Sequence, residues 1–155
     1  MKWLIASDIH GSAYYCRKLL ETYDLERADR MLLLGDILCV RGNCDGEVDQ
    51  MVLEFPIMAD YCVLAQNKGI IYATHGHHFN EQNLPPLHKG DILLHGHTHI
   101  PKCVEHEEYV YLNPGSVSIP KEDSWHGYMT LEEGMFRWKD LEGNEKHVYV
   151  ANWEE

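Results

Sequence analysis

Side chains that bind metal ions recur in five short segments of this sequence. The segments are Ser7-Asp8-Ile9-His10, Gly35-Asp36, Gly42-Asn43-Cys44-Asp45, Thr74-His75-Gly76-His77 and Gly96-His97-Thr98-His99. Mixed carboxylate, amide and imidazole ligands suit divalent ions such as Mn, Fe, Ni, Co or Zn, whereas calcium takes oxygen ligands only. One Asp-x-His motif means little, because short motifs match by chance. Five such segments in succession, each leading into a glycine-containing loop, indicate a two-metal hydrolytic site.

Four of these segments follow an apolar run that predicts a β-strand. The runs are Trp3–Ala6, Met31–Leu34, Ile70–Ala73 and Ile92–Leu94. Ligands just past the carboxyl ends of several strands converge on one edge of a sheet, where open α/β folds place their sites. Asp8 and His10 are two residues apart, so on an extended segment they point the same way and can bind one ion. Asp36 directly follows its strand, and its two oxygens can bridge two cations roughly 3.5–4 Å apart.

The remaining hydrophobic pattern predicts one long helix, a hairpin and a strand-rich second half. The helix is capped by Ser12 or its neighbour and extends to about Ala28. A short helix is expected over Gly46–Glu54, a hairpin turn at Asn67-Lys68-Gly69, and a loop or short helix over Asn83–His88. The other predicted strands are Tyr61–Ala65, Val104–Glu107, Tyr109–Leu112, Gly127–Leu131, Phe136–Asp140 and His147–Ala151, with turns at Glu133-Gly134 and Glu142-Gly143-Asn144.

The ordered set Asp-x-His, Gly-Asp, Gly-Asn-Cys-Asp, His-Gly-His and Gly-His-Thr-His resembles the calcineurin-like metallophosphoesterase superfamily. Cys44, together with the run Asn-Pro-Gly-Ser-Val-Ser-Ile-Pro from Asn113 to Pro120, resembles the small bacterial and archaeal YfcE/MJ0936-type phosphodiesterases. The resemblance covers the chain from Met1 to about Pro120, and the strand-rich tail is consistent with it. It implies an α/β fold, a four-layer α/β/β/α sandwich of metallophosphoesterase type, with antiparallel strands toward the C-terminus and metals at one end of the two sheets.

The same resemblance implies a ligand set for two divalent ions. Metal 1 would be bound by Asp8, His10, Asp36 and His99, and metal 2 by Asp36, Asn43, His75 and His97. Mn is the expected metal, with Ni, Fe, Co, Zn or Mg as alternatives. A water or hydroxide between the ions would have a lowered pKa and attack phosphorus in line, while the ions neutralise charge on the phosphoryl oxygens. We therefore expect a phosphodiesterase that acts on small phosphoesters.

The catalytic candidates are Asn43, Cys44, Asp45 and His77. Many metallophosphoesterases have a histidine at the position of Cys44, and that histidine assists the leaving group. A thiol, with a pKa of about 8.5, donates a proton less readily near neutral pH than a histidine side chain, with a pKa of about 6.5. Cys44 therefore predicts altered or modest catalysis, or else a packing role. His77 lies beside His75 and is expected either to face the substrate or to be a surface residue.

Each motif residue also has an ordinary structural alternative. Asp8 could cap the following helix, and Asp36 or Asn43 could be turn residues. The joint pattern argues against these alternatives for the seven ligands. The remaining histidines have no assigned role, and most are expected to be surface or packing residues. The Asn113-Pro-Gly-Ser run predicts a tight turn. These histidines are His78, His88, His95, His106, His126 and His147.

Length and composition favour one cytoplasmic domain spanning residues 1–155. The formal net charge of −12 argues against a general nucleic-acid-binding surface. There is no apolar run long enough for a membrane span and no signal-peptide pattern. Five cysteines, an odd number without a Cys-x-x-Cys pair, favour a reducing compartment. A small phosphoester is the expected partner, and a homo-oligomer is possible.

The connection between Asp36 and Asn43 is unusually short, since only six residues separate them. Members of the resembled family normally carry a crossover helix and a further strand there, and a parallel crossover needs about a dozen residues or more. Six residues span roughly 20 Å at about 3.3 Å each, so both ligands could still reach one site. Either this connection is a real truncation, or the sequence omits a segment that the protein contains.

Other functions within the same superfamily stay open as alternatives. A catalytically weak or inactive Vps29-like scaffold predicts lost ligands, whereas all seven are present here. A phosphomonoesterase would use the same ligand set. A DNA-processing nuclease would be expected to have a basic groove or an added domain, and this acidic sequence predicts neither.

Overall fold

The computed structural model describes residues 1–35, 60–66 and 69–153. Asp36, Asn43, Cys44, Asp45 and the predicted helix Gly46–Glu54 lie outside the described residues. Within them the order of elements is β1 (Lys2–Ala6), α1 (Ala13–Glu26), β2 (Arg30–Leu33), β3 (Tyr61–Gln66), β4 (Gly69–Thr74), β5 (Asp91–His95), β6 (Lys102–Glu105), β7 (Tyr109–Asn113), β8 (Gly127–Glu132), β9 (Met135–Asp140) and β10 (Glu145–Val150).

The strands form two five-stranded mixed sheets. The first has the order β10-β9-β8-β1-β2, and the second has the order β3-β4-β5-β7-β6. In the first sheet β1 is parallel to β2 and antiparallel to β8, so β1 is paired on both sides. In the second sheet β4, β5 and β7 are mutually parallel. The carboxyl ends of β4 and β5 therefore lie at the same edge of this sheet.

The two sheets pack against each other through apolar side chains that alternate along the strands. Ile5 faces the second sheet, whereas its neighbours Leu4 and Ala6 face α1, as the period of two requires. All three are fully buried, so β1 is covered on both faces. The inter-sheet core also contains Leu32, Leu34, Ile71, Ala73, Ile92, Leu94, Val110, Leu112, Met129, Leu131, Phe136 and Trp138.

Helix α1 begins and ends with recognisable caps. The Ser12 hydroxyl accepts a hydrogen bond from the Tyr15 N–H, which satisfies one of the free amides of the first turn. At the other end Arg27 adopts a left-handed conformation with φ of 51° and donates its N–H back to the last turn. Leu19 packs with the β1 residues against the outer face of the first sheet. The predicted helix and its cap are confirmed, with the helix ending two residues before Ala28.

The carboxylate of Glu26 joins α1 to the first sheet. It accepts hydrogen bonds from Lys2 of β1, Tyr128 of β8 and Lys139 of β9. Burial raises the pKa of Glu26, but these three donors outweigh that effect and lower it from 4.5 to about 2. The helix is thus attached to three strands of one sheet by a single charged side chain.

Most predicted strands are confirmed, and the boundaries of two are wrong. The predicted strand Val104–Glu107 lies at Lys102–Glu105 instead, because the backbone N–H of His106 bonds to Tyr109 and closes a turn that contains Glu107. The last strand is Glu145–Val150 rather than His147–Ala151. The antiparallel pairing of β3 with β4 is that of the predicted hairpin, whereas Asn67 and Lys68 of its predicted turn lie outside the described residues.

Residues 79–88 form a loop, not a short helix, on the outer face of the second sheet. Asn80 organises it, since its side-chain oxygen accepts the N–H groups of Gln82 and Asn83 and its amide donates to the Gly76 carbonyl. Leu87 packs on Tyr109 and its neighbours on that face. The described residues therefore have the layer order helix, sheet, sheet and loop, which confirms the predicted α/β class with packed sheets. No helix among these residues has the length and apolar content to cross a membrane.

Candidate metal centre

Three of the five predicted ligand segments meet at one end of the two sheets. The segments follow β1, β4 and β5, as the strand ends predict. The backbone N–H of His97 donates to Asp8 Oδ2 at 3.0 Å, which joins the loop after β5 to the loop after β1. The loops after β1 and β4 are linked as well, because the Leu34 carbonyl accepts hydrogen bonds from Ser7 Oγ and His75 Nδ1.

Asp8, His10 and His99 form a compact cluster of ligand atoms. The Nε2 atoms of His10 and His99 are 3.2 Å apart, and Asp8 Oδ1 lies 3.7 Å from the first and 3.3 Å from the second. One ligand atom from each residue lies within 4.8 Å of the other two. This spacing allows a single ion to contact all three atoms.

The unsatisfied oxygen of Asp8 shows that this donor set fits a divalent ion. Asp8 is fully buried, and its Oδ1 accepts no hydrogen bond. Burying a carboxylate oxygen without a partner is costly, and a cation between this oxygen and the two imidazoles would remove that cost. One carboxylate with two imidazoles is a donor set suited to Mn, Fe, Co, Ni or Zn.

Two histidines are held in the tautomer that places the ring lone pair on Nε2. His75 is fully buried, and its Nδ1 donates to the Leu34 carbonyl at 2.7 Å. His99 Nδ1 donates to the Ile119 carbonyl at 2.8 Å. Because Nδ1 carries the proton in each ring, the lone pair is on Nε2. His97 Nδ1 lies 3.1 Å from His75 Nε2, so a second imidazole pair stands beside the first cluster.

The backbone at four of the predicted ligands adopts positive φ angles that non-glycine residues rarely adopt. The values are 56° at Asp8, 50° at His10, 65° at His97 and 65° at His99. Such conformations cost of order 1–3 kcal/mol each and persist only where surrounding contacts enforce them. Their concentration on these residues is the pattern expected of a functional site.

His77 lies beside the centre but outside the Asp8 cluster. Its ring centroid is 5.4 Å from that of His75 and 4.0 Å from that of His78. The Nδ1 atom is buried and has no hydrogen-bond partner. Burial, followed by the charges of the neighbouring imidazoles, lowers the pKa of His77, so the neutral ring is favoured at neutral pH.

Sequence reasoning assigned no site role to His95 or to the segment Asn113–Ile119. His95 is buried and stacks on Tyr111 at 4.4 Å, and burial lowers its pKa. His95 therefore has the packing role expected of most histidines outside the predicted ligand set. Asn113 donates to the Gly96 carbonyl, directly before His97, and to Thr98 Oγ1, between His97 and His99. Only the family resemblance singled out this segment, because these contacts join positions far apart in sequence.

Known proteins are similar to this chain in sequence and in fold. The chain is 38% identical over 161 residues to the phosphodiesterase YfcE of Escherichia coli K12, covering 85% of this chain and 88% of the relative. A solved structure of YfcE, described as a phosphoesterase from E. coli, has a TM-score of 0.93 at 34% identity and covers 98% of this chain and 100% of that chain. Zinc-bound Vps29 from Entamoeba histolytica has a TM-score of 0.68 at 20% identity, with 96% of this chain and 98% of that chain covered, which shows the fold alone.

The alignment with the E. coli relative has more positions than the number of residues of this chain that are aligned in it. It extends over 161 residues, whereas 85% of 155 residues is about 132, so about 29 aligned positions have no counterpart in this chain. That difference is comparable in length to one crossover helix plus one strand.

The family assignment rests on a match to a known protein family. The calcineurin-like phosphoesterase superfamily domain matches residues 1–134, which is most of the chain and contains every predicted ligand. Divalent metal ions are implied by this metallophosphoesterase family, in agreement with the buried donor set around Asp8. The chain belongs to the calcineurin-like phosphoesterase superfamily.

Proposed function

We propose that this protein is a metal-dependent phosphodiesterase that hydrolyses small phosphoesters at the end of the two sheets. The observation that carries the proposal is the buried Asp8 oxygen, which accepts no hydrogen bond and faces the Nε2 atoms of His10 and His99. The 38% identity to a phosphodiesterase supports the reaction class.

The proposed centre contains two divalent ions, with Mn as the first metal to test. One ion would be held by Asp8, His10, Asp36 and His99, and the other by Asp36, Asn43, His75 and His97. The two imidazole pairs support this division, because the His75–His97 pair is separate from the His10–His99 pair and is linked to it through Asp8 and the His97 amide. When bound, the ions would supply an activated water nucleophile and neutralise charge on the phosphoryl oxygens.

The side chains of this centre would have distinct duties in the reaction. The His97 amide donates to Asp8 Oδ2, which fixes the orientation of the carboxylate and therefore of Oδ1. His75 and His99 donate through Nδ1 to backbone carbonyls, which keeps both rings oriented. Neutral His77, with its buried free Nδ1, is a candidate to contact a phosphoryl oxygen or the leaving group.

Cys44 and Asp45 complete the proposed site next to Asn43. Cys44 takes the place of the leaving-group histidine found in many members of the family, so we expect esters with good leaving groups to be preferred.

The substrate class follows from the charge of the protein. At a net charge of −12 a long polyanion would be repelled, whereas two ions add about four positive charges locally and attract one phosphoester group.

We further infer a single cytoplasmic domain over residues 1–155, without a nucleic-acid or membrane surface and with a possible homo-oligomeric state. Two cysteines within the described residues, Cys16 and Cys103, are free thiols, as a reducing compartment would keep them.

A matrix of metals against substrates tests the proposed function. Chelator-stripped protein would be assayed with Mn, Ni, Co, Zn, Fe and Mg on aryl phosphodiesters and phosphomonoesters. We expect diesterase activity only with added metal, and His99→Ala should lower it by about 10²-fold or more, because a ligand is lost. His88→Ala is the matched control, since that side chain is 84% exposed. Full activity in the stripped protein, or in His99→Ala, would contradict the proposal.

A Vps29-like scaffold is the second candidate, and the shared fold with Vps29 favours it. This alternative predicts no turnover of any ester with any metal, even when the purified protein binds Mn²⁺. The same matrix therefore separates the two functions.

A further inference from the structure

Asp8 is held by hydroxyl groups from a segment more than a hundred residues away. Its backbone carbonyl accepts hydrogen bonds from Ser116 Oγ at 2.8 Å and from Ser118 Oγ at 2.9 Å. The preceding carbonyl, that of Ser7, accepts the Val117 N–H at 3.0 Å. Two consecutive peptide groups at the start of the first ligand loop are therefore bound to one short segment.

The same segment holds the loop that carries His97 and His99. Asn113 Nδ2 donates to the Gly96 carbonyl at 2.9 Å and lies 3.0 Å from Thr98 Oγ1. At the other end the Ile119 carbonyl accepts His99 Nδ1 at 2.8 Å. The segment Asn113–Ile119 thus contacts both loops whose ligands have positive φ angles.

Asn113 is itself fixed in the core. Its backbone carbonyl accepts the indole N–H of Trp138 at 2.7 Å, and its side-chain oxygen accepts the Gly115 N–H at 2.8 Å. Asn113 and Trp138 are almost completely buried. The segment is therefore anchored independently of the loops that it contacts.

We propose that Asn113–Ile119 is the element that positions the metal ligands, and that Ser118 is a positioning residue acting through Asp8. A left-handed backbone at Asp8 needs external contacts to persist, and the two serine hydroxyls supply them at its carbonyl. Fixing this peptide group fixes the direction of the side-chain oxygen that faces His10 and His99. The inference rests on the proposed metal centre and adds the residues that orient it.

Ser118 offers a cleaner test than Ser116. The Ser116 hydroxyl also accepts the Ile119 N–H, so its removal would leave a second group unpaired. The Ser118 hydroxyl is half-buried, and within the described residues its single hydrogen bond goes to Asp8. Ser118→Ala removes that bond, whereas Ser118→Thr retains the hydroxyl.

The experiment is a calorimetric titration of metal-free protein with Mn²⁺, with melting curves of the metal-free variants. Ser118→Ala should weaken Mn²⁺ binding about 10-fold, the lower end of the effect of residues that orient ligands. Ser118→Thr should bind within about twofold of wild type. Ser124→Ala is the matched control, because that hydroxyl also donates to a backbone carbonyl, at Lys121, but contacts no ligand. Its affinity should be unchanged.

Unchanged Mn²⁺ affinity in Ser118→Ala would overturn the inference, whatever its melting temperature. Weakened binding that Ser118→Thr does not restore would overturn it too, since the hydroxyl would not be the cause. Wild-type protein that binds no Mn²⁺ would overturn the metal centre itself and this inference with it. Wild-type binding together with an unaffected Ser118→Ala variant would leave the proposed function intact while removing the positioning role.

Discussion

The two carboxylate oxygens of Asp8 have different surroundings. Oδ2 accepts a backbone N–H, whereas Oδ1 is buried, accepts no hydrogen bond and faces two imidazoles. One oxygen thus maintains the loop geometry and the other is available to an ion. An aspartate used in this way tolerates few replacements, because asparagine would place an amide where one of the two oxygens is needed.

The bridging role proposed for Asp36 predicts an asymmetry between single substitutions. Asp36→Ala should lose binding at both metal positions, because it is the carboxylate assigned to both ions. His99→Ala should chiefly weaken the ion next to Asp8. Metal analysis of the purified variants measures this difference, and two fully occupied ions in Asp36→Ala would exclude the bridge.

Cys44→His should raise turnover if Cys44 occupies the place of the leaving-group histidine. General acid assistance is typically worth about 10²–10⁴-fold, and an unoptimised histidine should recover part of it. The gain should be larger for a diester with a poor leaving group, which needs the proton more. Cys44→Ala should change the rate little. A Cys44→His variant that binds both metals without any gain would make His77 the better candidate.

The ligand types could be predicted from sequence, but their backbone geometry could not. Asp8, His97 and His99 stand out because their residue types and spacing suit a metal. Their positive φ angles depend on contacts with Ser118 and its neighbours, which are remote in sequence, so no local pattern encodes them.

Helix α1 is the element whose attachment to the sheet depends most directly on charge. Glu26 is nearly buried and binds the ammonium groups of Lys2 and Lys139 as well as the Tyr128 hydroxyl. Hydrogen bonds to a charged group contribute about 1.5–3 kcal/mol each when buried. The helix should therefore loosen when Glu26 loses its charge.

Acid should destabilise the protein through Glu26 in a definite pH window. The folded-state pKa of about 2 lies below the usual 4.5, so the ionised group stabilises the folded state above pH 4.5. That contribution is lost as the pH falls from about 4.5 toward 2. Glu26→Gln should lower the free energy of unfolding at pH 7 by about 2 kcal/mol and flatten its pH dependence in this window.

Urea unfolding followed by circular dichroism at several pH values measures this effect. Glu21→Gln is the control, because the Lys18–Glu21 pair is on the surface and should contribute less than about 0.5 kcal/mol. Equal losses in the two variants would show that burial of the Glu26 network adds nothing.

Elements with a clear hydrophobic periodicity or a helix-capping residue were predictable from the sequence. The ends of strands that are set by pairing with a neighbouring strand were not. Ser12 and the alternating apolar residues of β1 carry local signals for a helix start and a buried strand. The shift of β6 comes from its register with β7, where Lys102 pairs with Asn113. Register is a property of two strands together, and a single segment does not encode it.

At the scale of the whole molecule, we expect the short Asp36–Asn43 connection to be the main difference between this chain and the E. coli relative. About 29 positions of the E. coli alignment have no counterpart here. Since a crossover helix plus a strand needs about that length, the connection is where we expect the difference to fall.

Intact-mass spectrometry of the protein isolated from its native cells should decide whether the connection is a deletion. If a segment of about 25–30 residues is missing from the sequence, the mass should exceed 18.0 kDa by several kDa. A mass of 18.0 kDa would establish a real deletion, and we would then expect the site to be more open on that side.

The position of β1 between β2 and β8 has a consequence for the order of events during synthesis. One edge of β1 can pair as soon as β2 emerges from the ribosome, but the other edge waits for Gly127–Glu132. Asp8 likewise waits for Ser116 and Ser118. A nascent chain that ends between residues 99 and 116 therefore contains all seven proposed ligands but lacks the contacts with Ser116 and Ser118 that orient Asp8. Metal capture by ribosome-bound chains of increasing length should consequently begin late and abruptly, making it a reporter of completed folding.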